Sequence, residues 1–447
     1  MSAINVAMGN HGLSAWHPLL WSLSVIPFVW LGNALGDPNI GLGICTVLQC
    51  ALCAAIYAFV CAWIKHRNAP KAIYWLAIAF FALNPIIAQY AMYVSKDGLF
   101  ASFFTLYSVL LFDIAFSKGA VLRNNRFMAL FAIATLLVAS FRMNAMYATA
   151  AIIIVLAVVL RASLLKRVLP LLLIPLTVWV LYGPVCQSLG ISRSPFSESA
   201  AVPLSQIGYV LANDGDIPEE AEQTLASILP LEDWADAYNR ETVNDIKFHD
   251  RFDGDCLEAH KAEFLAAWAQ VGLENPRAYL KAWLLMTEGF WNIDSQPGWV
   301  APSSYYHYVN PAGYDESTQL QSSDGLLYPA TGMAELDRNT GEDISVLKDS
   351  VLLYPFCNIA IAVWFAAFAL GFIITSHTKR SLWALPLIAL FIVYATVIAA
   401  TPVWCEFRYA YAFHLMAPVI ACVLFLKQDE NEGECGTNAN TGSTSHE

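Results

Sequence analysis

Three short polar constellations interrupt a chain that is otherwise mostly apolar. They are Ser95-Lys96-Asp97, Arg142-Met143-Asn144 and Glu406-Phe407-Arg408-Tyr409, and each falls at the end of an apolar run. Two kinds of chemistry are on offer. Lys96 could meet a phosphate as a point charge, and Arg142 and Arg408 could bind one through a planar fork, with Asn144 and Tyr409 as neutral partners. Asp97, and after it Glu406, could take a proton from a hydroxyl nucleophile. Each constellation also has a plain structural reading. Ser95 and Asp97 suit a helix start, as cap and first-turn acid. Arg142 could snorkel to lipid headgroups, and Glu406 could simply pair with Arg408 at the surface.

Further candidates are weaker. His11, His17 and Asp37 could ligate a divalent metal, but their spacing fits no recognised pattern, so no cofactor is assigned. Asp37 is also the only acid among the first 64 residues and thus a third candidate carboxylate. His17 and Gln206, the latter in Pro203-Leu204-Ser205-Gln206, are candidate substrate contacts, as is Asp245-Ile246-Lys247. Asp113 reads as a boundary residue at the far end of its apolar run.

What must position these residues is a membrane bundle. Of 447 residues 57% are hydrophobic and 13% charged, with a mean hydropathy of +0.50, and apolar runs of span length recur. The expected fold is an all-α polytopic membrane protein. Nine spans are expected: Gly41–Ile64, Ala72–Val94, Gly98–Ser117, Phe127–Phe141, Ala148–Val159, Leu169–Cys186, Val351–Thr375, Ser381–Ala400 and Tyr411–Leu426. A tenth would follow if His17–Gly36 crosses. That stretch is broken by Pro18, Pro27 and Gly32 and carries Trp16, Trp21 and Trp30, a composition that favours an interfacial or re-entrant element.

The basic loops Lys65–Lys71, Lys118–Arg126, Arg161–Arg167 and Lys379–Arg380 belong in the cytoplasm by the positive-inside bias. Alternation of spans then puts all three polar constellations on the opposite face, where insertion does not explain basic residues. Between Gly190 and Ser350 lie 27 acids and 9 bases, whereas the remainder holds 9 acids and 15 bases. The chain therefore divides into an outer segment (1–40), a first bundle (41–186), an acidic outer domain (187–350), a second bundle (351–426) and a disordered tail (427–447). In the outer domain Pro218–Leu229, Cys256–Gly272 and Pro276–Trp291 have helical periodicity, and Asp294–Asn339 reads as an irregular binding loop. This charge balance excludes nucleic acid as a partner. The ten cysteines form no disulfide framework.

Several segments resemble the GT-C superfamily of integral-membrane glycosyltransferases, which includes protein O-mannosyltransferases and lipid A aminoarabinose transferases. They look closest to an uncharacterised bacterial membrane family of that kind. The segments are Trp16-His17-Pro18, Leu83-Asn84-Pro85, Ser95-Lys96-Asp97 with Leu99-Phe100, Arg142-x-Asn144, Pro203-Leu204-Ser205-Gln206, and Phe407-Arg408-Tyr409 with Pro418. The resemblance implies a lipid-linked sugar donor, a polyprenyl phosphate sugar, held among the helices. It also implies an extracytoplasmic acceptor and a multi-pass protein of the bacterial inner membrane, surrounded by membrane lipids. The superfamily's general base is a carboxylate in the first outer loop, and Met1 falls inside that loop. The chain thus looks truncated, or Asp37, Asp97 or Glu406 does the base's work. The competing expectation is a transporter or flippase of lipid-linked or anionic solutes, which needs the same cations but no base.

Overall fold

The computed structural model describes residues 6–7, 12–160, 162–295, 354–376 and 382–426. His11, Arg161, Lys379-Arg380, most of the expected binding loop and the tail from Lys427 lie outside these residues. Among the described residues the fold is helical, with two isolated β-bridges and no strand.

At its centre is α5 (Lys96–Phe116), with α1 to α4 before it at Leu19–Ala34, Pro38–His66, Lys71–Leu83 and Pro85–Met92. Almost every side chain of α5 from Asp97 to Ala115 is buried. A helix apolar all round must be covered all round. Its cover comes from α2, from α6 (Asn125–Phe141), and from two C-terminal helices. After α7 (Ala145–Val159) and α8 (Ala162–Ser188) comes the outer domain, and then α13 (Ile359–Ser376), α14 (Leu385–Ala400) and α15 (Phe407–Phe425). Helices α14 and α15 complete the wrap around α5.

Among the described residues five helices are long and apolar enough to cross a membrane: α2, α5, α8, α14 taken with the turn before it (Leu382–Ala400), and α15. The expected single span Ala72–Val94 is instead two helices, α3 and α4, bent by 51° at Asn84. Pro85 cannot donate an amide hydrogen bond there, and the Asn84 side chain caps the new helix by accepting from the amide of Ile86 at 3.0 Å. Counted as one span, the pair makes six. Helices α1, α6, α7 and α13 are apolar but shorter, below the ~20 residues that cover a hydrocarbon core at about 1.5 Å per residue.

Helix α1 continues through Pro27 and turns back onto α2 at Leu35–Asp37. The two pack so closely that a Cβ on Gly41 would lie 1.7 Å from the carbonyl oxygen of Phe28, and one on Gly32 2.7 Å from Pro38. Because Gly41 sits against Phe28, α1 runs beside the first half of α2 and its start returns to the level of Lys96. At the opposite face Asp113 accepts from Trp63 Nε1 at 2.7 Å and pairs with Arg67, which makes it a boundary anchor as expected.

The described part of the outer domain folds around its own core of Trp234, Phe264, Leu225 and Ile246. Its main helices are α9 (Ala201–Ala212), α10 (Glu219–Ile228), α11 (Lys261–Glu274) and α12 (Pro276–Trp291). Helices α10 and α12 match the expected segments Pro218–Leu229 and Pro276–Trp291, whereas the expected Cys256–Gly272 is broken at His260 into a short helix, Gly254–Ala259, and α11; α9, apolar along most of its length, was not expected as a domain helix. The domain is stitched to the bundle at the loop before α15. Thr242 bridges Val403, the Val243 amide donates to Pro402 O at 3.0 Å, and the Trp404 amide donates to Glu241 O at 2.7 Å.

Candidate functional site

The N-terminus of α5 lies where the bundle meets the outer domain, and charged groups from three separate chain segments converge on it, with the neutral His17 from a fourth. Asp97, in the first turn, is 3.9 Å from the guanidinium of Arg142, and both side chains are almost fully enclosed, at 7% and 10% exposure. Arg142 stands at the C-terminal end of α6. Its guanidinium lies over the rings of Phe100 (5.4 Å) and Tyr409 (5.0 Å) and reaches the carbonyls of Arg408 and Tyr409 at 3.5 Å. That placement is not snorkelling: the side chain points into protein. Oδ1 of Asp97 is buried and, among the described residues, accepts no hydrogen bond. Ser95 occupies the cap position of α5, but its hydroxyl makes no capping bond, so the first amides of α5 are left without the expected side-chain acceptor.

Lys96 turns toward the N-terminal segment, with Nζ 3.3 Å from Nδ1 of His17. Burial, then the neighbouring lysine, push the His17 pKa down to about 3. A neutral ring can accept from the ammonium at Nδ1, where an imidazolium could not. The segment carrying His17 is fastened on both sides. The Ala15 amide donates to Ser192 O at 2.8 Å, and the Leu20 amide donates to Tyr182 Oη at 2.9 Å, which itself donates to Ser140 O. Tyr182 lies in a π-turn, Leu181–Val185, formed where Pro184 withholds its amide from α8.

Glu406 and Arg408 arrive from the loop before α15. Arg408 Nε donates to Glu406 Oε2 at 2.8 Å, and the arginine is 43% exposed, the most open of the three cations placed here on arginine or lysine. Its guanidinium also covers Tyr409 at 5.1 Å. Burial raises the pKa of Glu406, with Arg408 opposing, and the carboxyl also feels Asp97 and Arg142. So five sequence candidates — Lys96, Asp97, Arg142, Glu406 and Arg408 — form one electrostatic cluster, with His17 and Tyr409 at its edge.

Three candidates are spent elsewhere. Asp37 caps α2, accepting from the amide and the side chain of Asn39 at 2.8 and 2.7 Å, at the far tip of the α1–α2 hairpin. Asn144 donates to Thr396 Oγ1 at 2.6 Å and ties α7 to α14. Gln206 is buried in the outer domain, donating to Tyr279 O and accepting from Trp268 Nε1. Among the described residues no group of three His, Cys, Asp or Glu could hold a metal ion, and His17 faces a cation rather than Asp37.

Sequence reasoning missed the aromatic wall beside the cluster. Tyr90 stacks on Tyr411 at 4.2 Å and lies 6.0 Å from Phe407, while His414 sits 5.5 Å from Phe407 and 4.9 Å from Phe80. The His414 Nε2 is 2.9 Å from Asn84 Nδ2, at the α3–α4 bend. This wall leads to an apolar groove of about 490 Å³ between α3, α13 and α15, lined by Leu76, Phe80, Leu83, Phe365 and Pro418. One polar residue of an apolar helix, His414, was the available signal. Lys247 was named as a substrate contact, but it is buried and paired with Glu198 at 2.6 Å.

The chain is a membrane protein by its long apolar helices. Over residues 9–438 it matches the family described as a family of unknown function (DUF6020), and it belongs to that family. No curated protein matches it, and no solved structure does.

Proposed function

We propose that this protein is a membrane glycosyltransferase that moves a sugar from a polyprenyl-phosphate carrier to an extracytoplasmic acceptor. The observation that carries the reading is Asp97. It is an enclosed carboxylate with one oxygen free of hydrogen bonds among the described residues, ringed by Lys96, Arg142 and Arg408, with an apolar groove beyond the aromatic wall that flanks the cluster. In this reading Asp97 accepts the proton of the acceptor hydroxyl as its oxygen attacks the anomeric carbon. The bond from that carbon to the phosphate oxygen breaks, and its electron pair leaves with polyprenyl phosphate. Arg408 and Lys96 neutralise the departing phosphate, and Arg142 holds Asp97 in place. Glu406 is the second candidate, since one of its oxygens is already taken by Arg408. The groove would take the isoprenoid chain.

The topology belonging to this reading has the shorter apolar helices crossing as well. With α3–α4 as one span, α2 to α8 and α13 to α15 make nine, ten if α1 is counted, in a bacterial inner membrane. The outer domain and the charged cluster then share the extracytoplasmic face, and the basic loops lie inside.

The test is full-length protein in lipid nanodiscs, challenged with a panel of radiolabelled polyprenyl-phosphate sugars. One donor should turn over. Asp97→Asn should slow it by about 10²–10⁴-fold while leaving donor binding in place, as removal of a general base does. Arg408→Ala should weaken donor binding. Donor binding without turnover in the wild type would favour a flippase, and no binding across the panel would end the sugar-carrier reading.

A further inference from the structure

A second cavity, of about 700 Å³, opens on the outer domain between α9, α12 and the segment from Asp236 to His249. Its chemistry differs from that of the membrane groove. Tyr209 and Tyr238 form a corner, with ring centres 5.5 Å apart and planes at 82°. Lys281 Nζ lies 5.7 Å over the Tyr209 ring. Asn239 donates to Asp245 Oδ2 at 2.8 Å and accepts from the Glu241 amide at 2.9 Å, which leaves the other oxygen of Asp245 at the cavity. The hydroxyl of Tyr238 is enclosed and, among the described residues, has no hydrogen-bond partner. Burial and the neighbouring Tyr209 push its pKa up to about 12, so it remains a neutral donor.

The cavity's fixed charges balance, Asp236 and Asp245 against Arg240 and Lys281. A phosphate would meet two carboxylates, and an acyl chain would strand four charges beside it. Aromatic faces set at a corner, with donors and acceptors of both kinds around them, suit a ligand with an apolar ring face and hydroxyls on its edge. A pyranose has that shape, because each hydroxyl both donates and accepts.

The cavity's rim is also coupled to the charged cluster. Arg240 lies 6.0 Å over the Trp404 ring and 3.8 Å from Glu288. Glu241 and Val243 next to it bond the chain at Trp404 and Pro402. From Trp404 to Glu406 is two residues, at most about 7 Å of chain. A few linked sugar rings would reach from one to the other.

We propose that this cavity binds a neutral oligosaccharide and positions it as the acceptor for the reaction at Asp97. Saccharide binding stands on the cavity alone; the acceptor role rests on the transferase reading above. The test uses full-length protein in nanodiscs and saturation-transfer NMR with chitotriose, maltotriose and mannotriose, a neutral tetrapeptide and inorganic phosphate. At least one trisaccharide should bind saturably, and Tyr238→Ala and Lys281→Ala should each weaken it by about tenfold, the scale of one lost aromatic platform or one charged contact. Lys281 lies on the surface of α12, so its truncation tests the cavity even if Tyr238→Ala fails to fold. Preferential binding of the peptide or phosphate, no saturable trisaccharide, or affinities unchanged in both variants would overturn the proposal. Asp97→Asn should leave the saccharide bound, so loss of donor turnover and loss of saccharide binding are separate results.

Discussion

Arg142→Ala tests the geometry of the cluster most directly. The side chain is nearly enclosed and its partner Asp97 more so, so truncation leaves a carboxylate buried with its nearest cation gone. Removing one member of a buried pair costs about 3–5 kcal/mol. The 3.9 Å separation, and the charges of Lys96 and Arg408 that remain, place this case near the lower bound, ~3 kcal/mol. Loss of the guanidinium from the faces of Phe100 and Tyr409 adds roughly 0.5 kcal/mol for each ring. The expected destabilisation is thus about 4 kcal/mol. Most of it comes from the orphaned charge, so adding Asp97→Asn should return about 2 kcal/mol, a coupling of the size seen for residues in contact. The assay is equilibrium unfolding in mixed micelles for wild type, the two single variants and the double. An Arg142→Ala protein within about 0.5 kcal/mol of wild type, or single losses that simply add in the double variant, would refute the buried pair.

Three other outcomes follow from the packing and the charges. Gly41→Ala drives a Cβ into the Phe28 carbonyl and should cost about 1–3 kcal/mol by thermal unfolding, whereas Gly43→Ala meets nothing within 4 Å and should be neutral. In Gly289→Ala the new Cβ would lie 2.1 Å from Cys405 Cβ, in a loop where Cys405 already has φ of 57°. Donor affinity should fall through displacement of Arg408, and Cys405→Gly in the same chain should restore part of it in a donor-binding assay. His17 is neutral in the fold down to a pH of about 3 but titrates near 6.5 when unfolded. Its contribution to stability is therefore complete above pH 6.5 and is lost progressively as pH falls toward 3. His17→Gln should flatten the pH dependence of stability across that window relative to wild type, and equal slopes would refute the buried, neutral ring.

The class of the molecule was legible because burial in a membrane and burial in a helix bundle both follow from composition and run length. The same applies to the charged helix ends, since a lysine, an arginine or a carboxylate at the end of an apolar run is visible without a fold. Their partners were not legible. Asp97 and Arg142 are 45 positions apart and Arg408 is farther still, and no local rule says which helix ends meet. Polar residues inside apolar elements were equally ambiguous: Asn144, Gln206 and Asp37 have the profile of site residues, yet each turns out to satisfy a neighbouring backbone or side-chain group. The break at Asn84 was written in the Asn-Pro pair, but a 51° bend with His414 packed behind it depends on α15.

By itself, then, the sequence determined an all-helical membrane body, an acidic segment following the sixth expected span and a set of charged residues at the ends of apolar runs. These follow from short-range quantities: hydropathy, periodicity, and the local stereochemistry of Pro, Gly and capping residues. Only the tertiary structure decided that three of those helix ends share one cluster, that the loop before α15 is held there by the outer domain, and that α1 doubles back on α2 through two glycines. Those outcomes depend on which surfaces pack against which, and packing is a property of the whole chain at once.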